Sequence, residues 1–152
     1  MGLTLGIIIV ILGLIIDRTT KWWAISTLKG TEGITIIKNF FTFDYLENRG
    51  AAFGMLQNKL WLFIVITIIV ILGMIFYLFK YRPKYKLVYV SIAMIISGAI
   101  GNLIDRIGYT YVVDFIMLHY KDIYYFPTFN VADMLVCIGT FFLLICILKD
   151  EI

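Results

Sequence analysis

The chain has 152 residues, of which 62% are hydrophobic and only 15% charged, with a mean hydropathy of +0.97. A 17.6 kDa globule has too little interior to hide that much apolar surface, so hydrocarbon must be its solvent; a soluble enzyme and a disordered chain are excluded. The net charge of +3 comes from basic residues that are scattered or flank apolar blocks, which excludes the clustered basic face of a nucleic-acid binder.

In chain order, four nearly uncharged blocks predict membrane spans over about residues 2–22, 60–79, 87–104 and 131–148. Each approaches the roughly 20 residues that cross a ~30 Å hydrocarbon core at about 1.5 Å per residue. The first block, Gly2 to Ile16, is short and extends to Trp22 and Trp23, which suit the interface as aromatic anchors. It lacks a basic leader and an A-x-A-like site, and Asp17 to Lys21 follow directly, so it reads as a span and not as a cleaved secretory signal. Ile34 to Phe43 is rich in β-branched and aromatic residues, with Asn48-Arg49-Gly50 as turn material. Between the second and third spans lie Lys80, Arg82, Lys84 and Lys86 with no acid, which predicts a cytoplasmic loop over 80–86. Both termini are then cytoplasmic, and segments 23–59 and 105–130 face outward. Tyr109 to Ile116 predicts a second extended piece. The expectation is an all-α polytopic membrane protein: four transmembrane helices with a small β-rich extracytoplasmic platform, one integral membrane domain over 1–152. Cys137 and Cys146 fall inside one apolar run, so no structural disulfide is expected.

This topology gathers the polar residues at one depth, on the outer side. Asp17 and Lys21, at i and i+4, share a helix face, and their simplest reading is a structural ion pair. Asn102, Asp105 and Arg106 share another face, begun by Gly98; Gly98 and Gly101 allow close approach by a neighbouring helix. For Arg106 the plain alternative is snorkelling to the interface. Asn130 stands three residues before Asp133 at the start of the fourth span, where it suits an N-cap and the carboxylate gains from the helix terminus. Asp133 facing the bundle calls for a partner, and Asp114 is the leading candidate. Two carboxylates held close cannot both ionise easily, so one keeps its proton near neutral pH. A general base that activates water then stands beside a general acid, the chemistry of aspartic proteolysis, which needs no metal and no cofactor.

Other chemistries fare worse. Ser26, Ser91 and Ser97 sit in no G-x-S-x-G elbow, and Ser97 suits helix–helix hydrogen bonding. His119, the single histidine, reads as a surface residue, and without a CxxC pair no metal site is expected. A proton-coupled transporter relaying through Asp133 and Asp105 would need ionisable groups staggered across the bilayer, whereas they lie at one end. A non-catalytic factor that grips helices would use the same polar face.

Five stretches also carry a family resemblance: Asp17 to Lys21 (DRTTK), Asn48 to Gly54 (NRGAAFG), Gly101 to Arg106 (GNLIDR), Val113-Asp114-Phe115, and Phe129 to Asp133 (FNVAD). In this order within four spans, the chain resembles the prolipoprotein signal peptidases, the signal peptidase II family of membrane aspartic proteases. The resemblance implies catalytic roles for Asp114 and Asp133. It implies supporting or substrate-binding roles for Asp17, Lys21, Asn48, Gly54, Asn102, Arg106 and Asn130, while Asp105 is read as structural. The implied substrate is a prolipoprotein signal peptide whose lipobox cysteine carries diacylglycerol, cut just before that cysteine in the bacterial cytoplasmic membrane. Membrane lipid is the other implied partner, nucleic acid is not expected, and the chain is expected to work as a monomer open to cyclic peptide antibiotics such as globomycin. Arg18 stands where Gln is commoner and Met134 where a small residue is frequent; both bear on packing and substrate preference.

Overall fold

The computed structural model describes residues 2–50, 59–121 and 123–151. Four helices cross the bundle: α1 (Gly2–Thr27), α2 (Leu60–Tyr81), α3 (Lys86–Tyr109) and α4 (Val131–Leu148). All four are long and apolar enough to span a membrane. The strands β1 (Ile34–Ile37), β2 (Phe41–Asn48), β3 (Val112–Tyr120) and β4 (Tyr124–Tyr125) form one antiparallel sheet in that order. The expected combination of four spans and a small sheet is therefore present.

Burial is unequal among the helices. Most of α3 is enclosed by its neighbours, whereas α1, α2 and α4 turn most of their side chains outward, as suits helices whose solvent is hydrocarbon. Small residues let α3 take the centre. A Cβ on Gly98 would meet the Ala132 carbonyl oxygen of α4, and one on Gly139 would lie 2.7 Å from the Ser91 carbonyl of α3. The Ser97 hydroxyl, as its position suggested, reaches across to the Val10 carbonyl at 3.2 Å. Close backbone approach and interhelical hydrogen bonds replace the hydrophobic effect, which is absent between helices in lipid.

Some boundaries differ from the sequence reading. α1 continues to Thr27, so Trp22 is exposed while Trp23 turns under the sheet, its ring 5.2 Å from that of Phe43 and 6.1 Å from that of Phe115. Trp23 thus joins helix to platform, and Trp22 keeps the surface position expected of an anchor. α3 runs past Ile104 to Tyr109 and ends where Thr110 turns left-handed (φ 67°), its N–H donating to the Arg106 carbonyl. Asp105 and Arg106 consequently sit in the last turns of a helix. The extended piece foreseen over 109–116 begins only at Val112 but continues to Tyr120. Ile34 to Phe43 is not one run; it folds at Lys38–Phe40 into the β1–β2 hairpin, with Asn39 at φ 64°. Asparagine tolerates that conformation better than most residues, which makes the turn possible without glycine. The Asn48-Arg49-Gly50 turn does form, the Gly50 N–H donating to the Asn48 Oδ1 at 3.0 Å. Cys137 and Cys146 are both free thiols.

The pairing of β2 with β3 sets the site. Asn48 stands opposite Val112 and Leu46 opposite Asp114, after an irregularity between Phe43 and Leu46 that shifts the register. Such a bulge re-aims side chains. Phe129, just before α4, bridges to Ile116, which ties the start of α4 to the strand that carries Asp114.

Gly98→Val is expected to lower the thermal unfolding temperature in detergent markedly, since overpacking a tight contact costs about 1–3 kcal/mol. Gly73→Ala, where an added Cβ meets nothing within 4 Å, should leave it unchanged or slightly raised.

Candidate active site

Two charged layers sit one above the other at the platform end of the bundle. The lower one begins with Lys21, whose side chain is 2% exposed. Its ammonium lies 3.2 Å from Asp17 Oδ1, 2.8 Å from Asp105 Oδ2 and 2.8 Å from Asn102 Oδ1. Asn102 accepts a hydrogen bond and the two carboxylates lie within ion-pair distance, so the i,i+4 ion pair foreseen between Asp17 and Lys21 exists within a larger cluster. Arg18 supplies the second cation. It binds Asp17 Oδ2 and Asp105 Oδ1, each at 2.6 Å, and donates to the Gly101 carbonyl at 2.9 Å. Gly101 has no room for a Cβ, which would fall 2.6 Å from Asp17 Oδ2. Two buried carboxylates are therefore matched by two cations. Asp105 also accepts the Val113 N–H at 3.1 Å, which fastens the end of α3 to the start of β3.

The upper layer is built from amides. Because an ammonium only donates, the Asn102 atom facing Lys21 must be the oxygen, and Asn102 Nδ2 is turned toward Asp133 Oδ1 at 2.8 Å. Asn130 is fixed by helix physics. Its Oδ1 accepts the Asp133 N–H at 3.0 Å, while Asp133 Oδ2 accepts the Asn130 N–H at 3.1 Å, a reciprocal capping box on α4. That leaves Asn130 Nδ2 directed at Asp114 Oδ1, 2.6 Å away, with Asn102 Oδ1 at 3.2 Å. From the platform, Asn48 Nδ2 donates to Asp114 Oδ2 at 2.8 Å. All four oxygens of Asp114 and Asp133 thus accept one N–H each, and the two carboxylates are linked through one asparagine.

Both carboxylates open on a groove of about 690 Å³. Asn48, Gly50 and the Phe126–Phe129 segment form its platform wall, α3 and α4 its floor, and Ile66, Thr67 and Val70 of α2 its far wall. Arg106 lines it too, its guanidinium 5.1 Å from the centre of the Phe63 ring on α2. Away from the dyad the lining is almost wholly apolar. Burial, reinforced by the charge of Asp133 and opposed by the Asn48 and Asn130 hydrogen bonds, raises the Asp114 pKa to about 7.

The residues singled out from sequence are thus brought together, except that Gly54 lies outside the described residues. Asp105 stands in the lower, ion-paired layer and not on the groove. His119 is half-buried and ties the platform together, with Nδ1 2.9 Å from the Lys121 carbonyl and its ring stacked on Tyr125. The sequence reading missed the clamp made by Arg18, which it took only as a departure. It also missed Phe63 and Thr67 on α2. Arg18 could have been found from its place beside Asp17, one residue from the face shared with Lys21. Among the described residues no three His, Cys, Asp or Glu side chains gather into a metal-binding group.

A family model described as signal peptidase (SPase) II matches residues 9–149. A lipoprotein signal peptidase of Clostridium novyi (strain NT) is 52% identical over 144 residues, 95% of this chain and 97% of that one. That of Clostridium tetani (strain Massachusetts / E88) is 57% identical over 145 residues, 95% of this chain and 93% of that one. Two solved structures, each described as a bacterial membrane enzyme structure by the in meso method, are similar with TM-scores of 0.88 and 0.85 at 33% and 34% identity. Each matches 97% of this chain, with 89% and 94% of the other covered.

Lys21→Met leaves two buried carboxylates with one cation and is expected to destabilise the fold by about 3–5 kcal/mol, read by thermal or denaturant unfolding in detergent. Arg18→Gln should destabilise less, because the Arg18 side chain is 30% exposed and water can replace part of its contacts.

Proposed function

The chain belongs to the signal peptidase II family of multi-pass membrane proteases, which remove signal peptides from prolipoproteins, and on that premise we propose that Asp114 and Asp133 are its catalytic dyad. One observation carries the proposal most: two carboxylates from different elements share a groove, each oxygen is held by an amide donor, and Asp114 retains its proton to about pH 7. In the step proposed, the ionised member takes a proton from water as its oxygen attacks the scissile carbonyl carbon. The protonated member gives its proton to the carbonyl oxygen. As the tetrahedral gem-diol collapses and the C–N bond breaks, one of its hydroxyls returns a proton to the carboxylate that had given one up, and the proton taken from water passes to the leaving amine. The dyad ends with one proton, as it began, and no metal enters.

The substrate is a prolipoprotein whose cysteine carries diacylglycerol, cut just before that cysteine. The apolar groove supports this reading, since a signal helix and two acyl chains both need hydrocarbon-like walls. Asn48, Asn102 and Asn130 orient the dyad, Arg106 and the region of Gly54 meet substrate, and Asp17, Lys21, Arg18 and Asp105 hold the asparagines from below. The basic Lys80–Lys86 loop supports a cytoplasmic placement of that end, both termini included, with the platform on the outer face of the bacterial cytoplasmic membrane. The whole chain works as one integral membrane domain and as a monomer, because every group in the proposed site belongs to one chain.

The test is cleavage of a diacylglyceryl-modified prolipoprotein in detergent, followed by gel shift. Asp114→Asn and Asp133→Asn should each lower turnover by at least about 10²–10⁴-fold, with chelator making no difference to wild type. Folded Asp105→Asn that loses turnover as fully as either would overturn this choice of dyad. As pH rises through about 7 the proton on Asp114 is lost, the dyad becomes doubly ionised and the general acid disappears. Turnover should therefore fall on the alkaline side of neutrality; a rate still climbing beyond pH 8 would contradict the assignment.

A further inference from the structure

The groove wall opposite the dyad carries a polar group that neither the ion cluster nor the dyad uses. Thr67 is the one serine or threonine in α2, and the one hydroxyl residue in its platform half, which is otherwise apolar from Leu60 to Gly73. It lines the groove together with Asp114 and Asp133. Elsewhere in the helices, half-buried and buried serine and threonine hydroxyls are occupied. Thr20 and Ser91 donate to carbonyls one turn back, and Ser97 donates to Val10. Among the described residues Thr67 is the half-buried helical Ser or Thr whose hydroxyl has no hydrogen bond. The direction of its face is fixed independently. Phe63, one turn earlier, stacks on Arg106, and Val70, about one turn later, also lines the groove.

The chemistry of the substrate supplies the missing partner. A peptide bond is cut only where the chain leaves its helix and extends, because helical hydrogen bonding shields the amide. Extended backbone at membrane depth must have its N–H and C=O groups satisfied by protein, each unsatisfied group costing several kcal/mol. The dyad, Asn48, Asn102 and Arg106 serve the immediate neighbourhood of the scissile bond. On the membrane side the walls are Val70, Ile95, Ala99, Val136, Cys137 and Ile138, which offer no hydrogen-bonding group beyond the weak Cys137 thiol. Thr67 lies about two turns into α2, whereas Asp133 lies in the first turn of α4, so Thr67 faces the peptide on the signal-helix side of the cut.

Resting on the peptidase reading above, we propose that Thr67 is a substrate-binding residue whose hydroxyl hydrogen-bonds a backbone group of the extended segment between the signal helix and the scissile bond. Valine at this position keeps the shape and removes only the hydroxyl. Serine keeps the hydroxyl and removes a methyl. Thr140, exposed on α4 and not part of the groove lining, is the matched control.

Steady-state cleavage of a synthetic diacylglyceryl prolipoprotein peptide, with each variant's unfolding temperature measured in parallel, decides the matter. Thr67→Val is expected to lower kcat/KM by about 3- to 10-fold, the effect of one neutral hydrogen bond, with the loss mainly in KM and the unfolding temperature unchanged. Thr67→Ser should lie close to wild type, and Thr140→Val should equal it. Thr67→Val indistinguishable from wild type, or Thr67→Ser as impaired as Thr67→Val, would overturn the assignment while leaving the dyad untouched. Wild type that leaves the peptide uncut would instead overturn the peptidase reading, and this assignment with it.

Discussion

The site depends on one buried ammonium. Lys21 sits where hydrocarbon would make an isolated cation untenable, and it survives because Asp17 and Asp105 pair with its charge and Asn102 accepts a hydrogen bond from it. Its second effect reaches further. An ammonium imposes direction on whatever it touches, so Asn102 must present oxygen below and N–H above. The capping box of α4 imposes the complementary direction on Asn130. Two amides that could each have flipped are thereby set to donate to the dyad. The direction of the hydrogen bonds is dictated from outside the dyad, by a cation on one side and a helix terminus on the other.

The dyad itself is split between two kinds of element. Asp133 rides on a transmembrane helix, whereas Asp114 rides on a strand held between β2 and the Phe129 bridge. Bringing them together requires the platform to be fixed relative to the bundle. Three contacts do this: Asp105 on the Val113 N–H, Trp23 against Phe43 and Phe115, and Phe129 on Ile116. Asp105 is the hinge between the layers, since the same carboxylate pairs with Arg18 and Lys21. Its carboxylate is thus engaged by two cations and a backbone N–H, away from the groove.

What the sequence revealed follows the physics of periodicity. The spans were legible because hydrocarbon demands unbroken apolar runs, and the sharing of faces by Asp17 with Lys21, and by Asn130 with Asp133, follows from helical spacing alone. The hairpin turn at Asn39 was hidden because no glycine or proline marks it; only a positive φ on an asparagine does. The ends of α1 and α3 lie beyond the apolar runs because both helices carry charged and aromatic residues onward into the platform, where hydropathy no longer marks them. Arg18 was hidden for a different reason. Its place beside Asp17 is visible locally, but its other partners, Asp105 and the Gly101 carbonyl, lie more than 80 positions away, and no local pattern reports a contact of that kind.

The helix opposite the dyad is held differently from the others. The buried residues of α2 are Ile71 and Leu78, both beyond its midpoint and toward the basic loop. Among the described residues its platform half has half-buried side chains but no fully buried one, and one of its contacts is the stacking of Phe63 on Arg106, an interaction of about 0.5–2 kcal/mol according to how dry it is. That platform half borders the groove, through Ile66, Thr67 and Val70. The two sides of the groove therefore differ in kind: a dense polar network of ion pairs and amides lies under the carboxylates, whereas the described residues of the α2 wall are apolar but for the hydroxyl of Thr67.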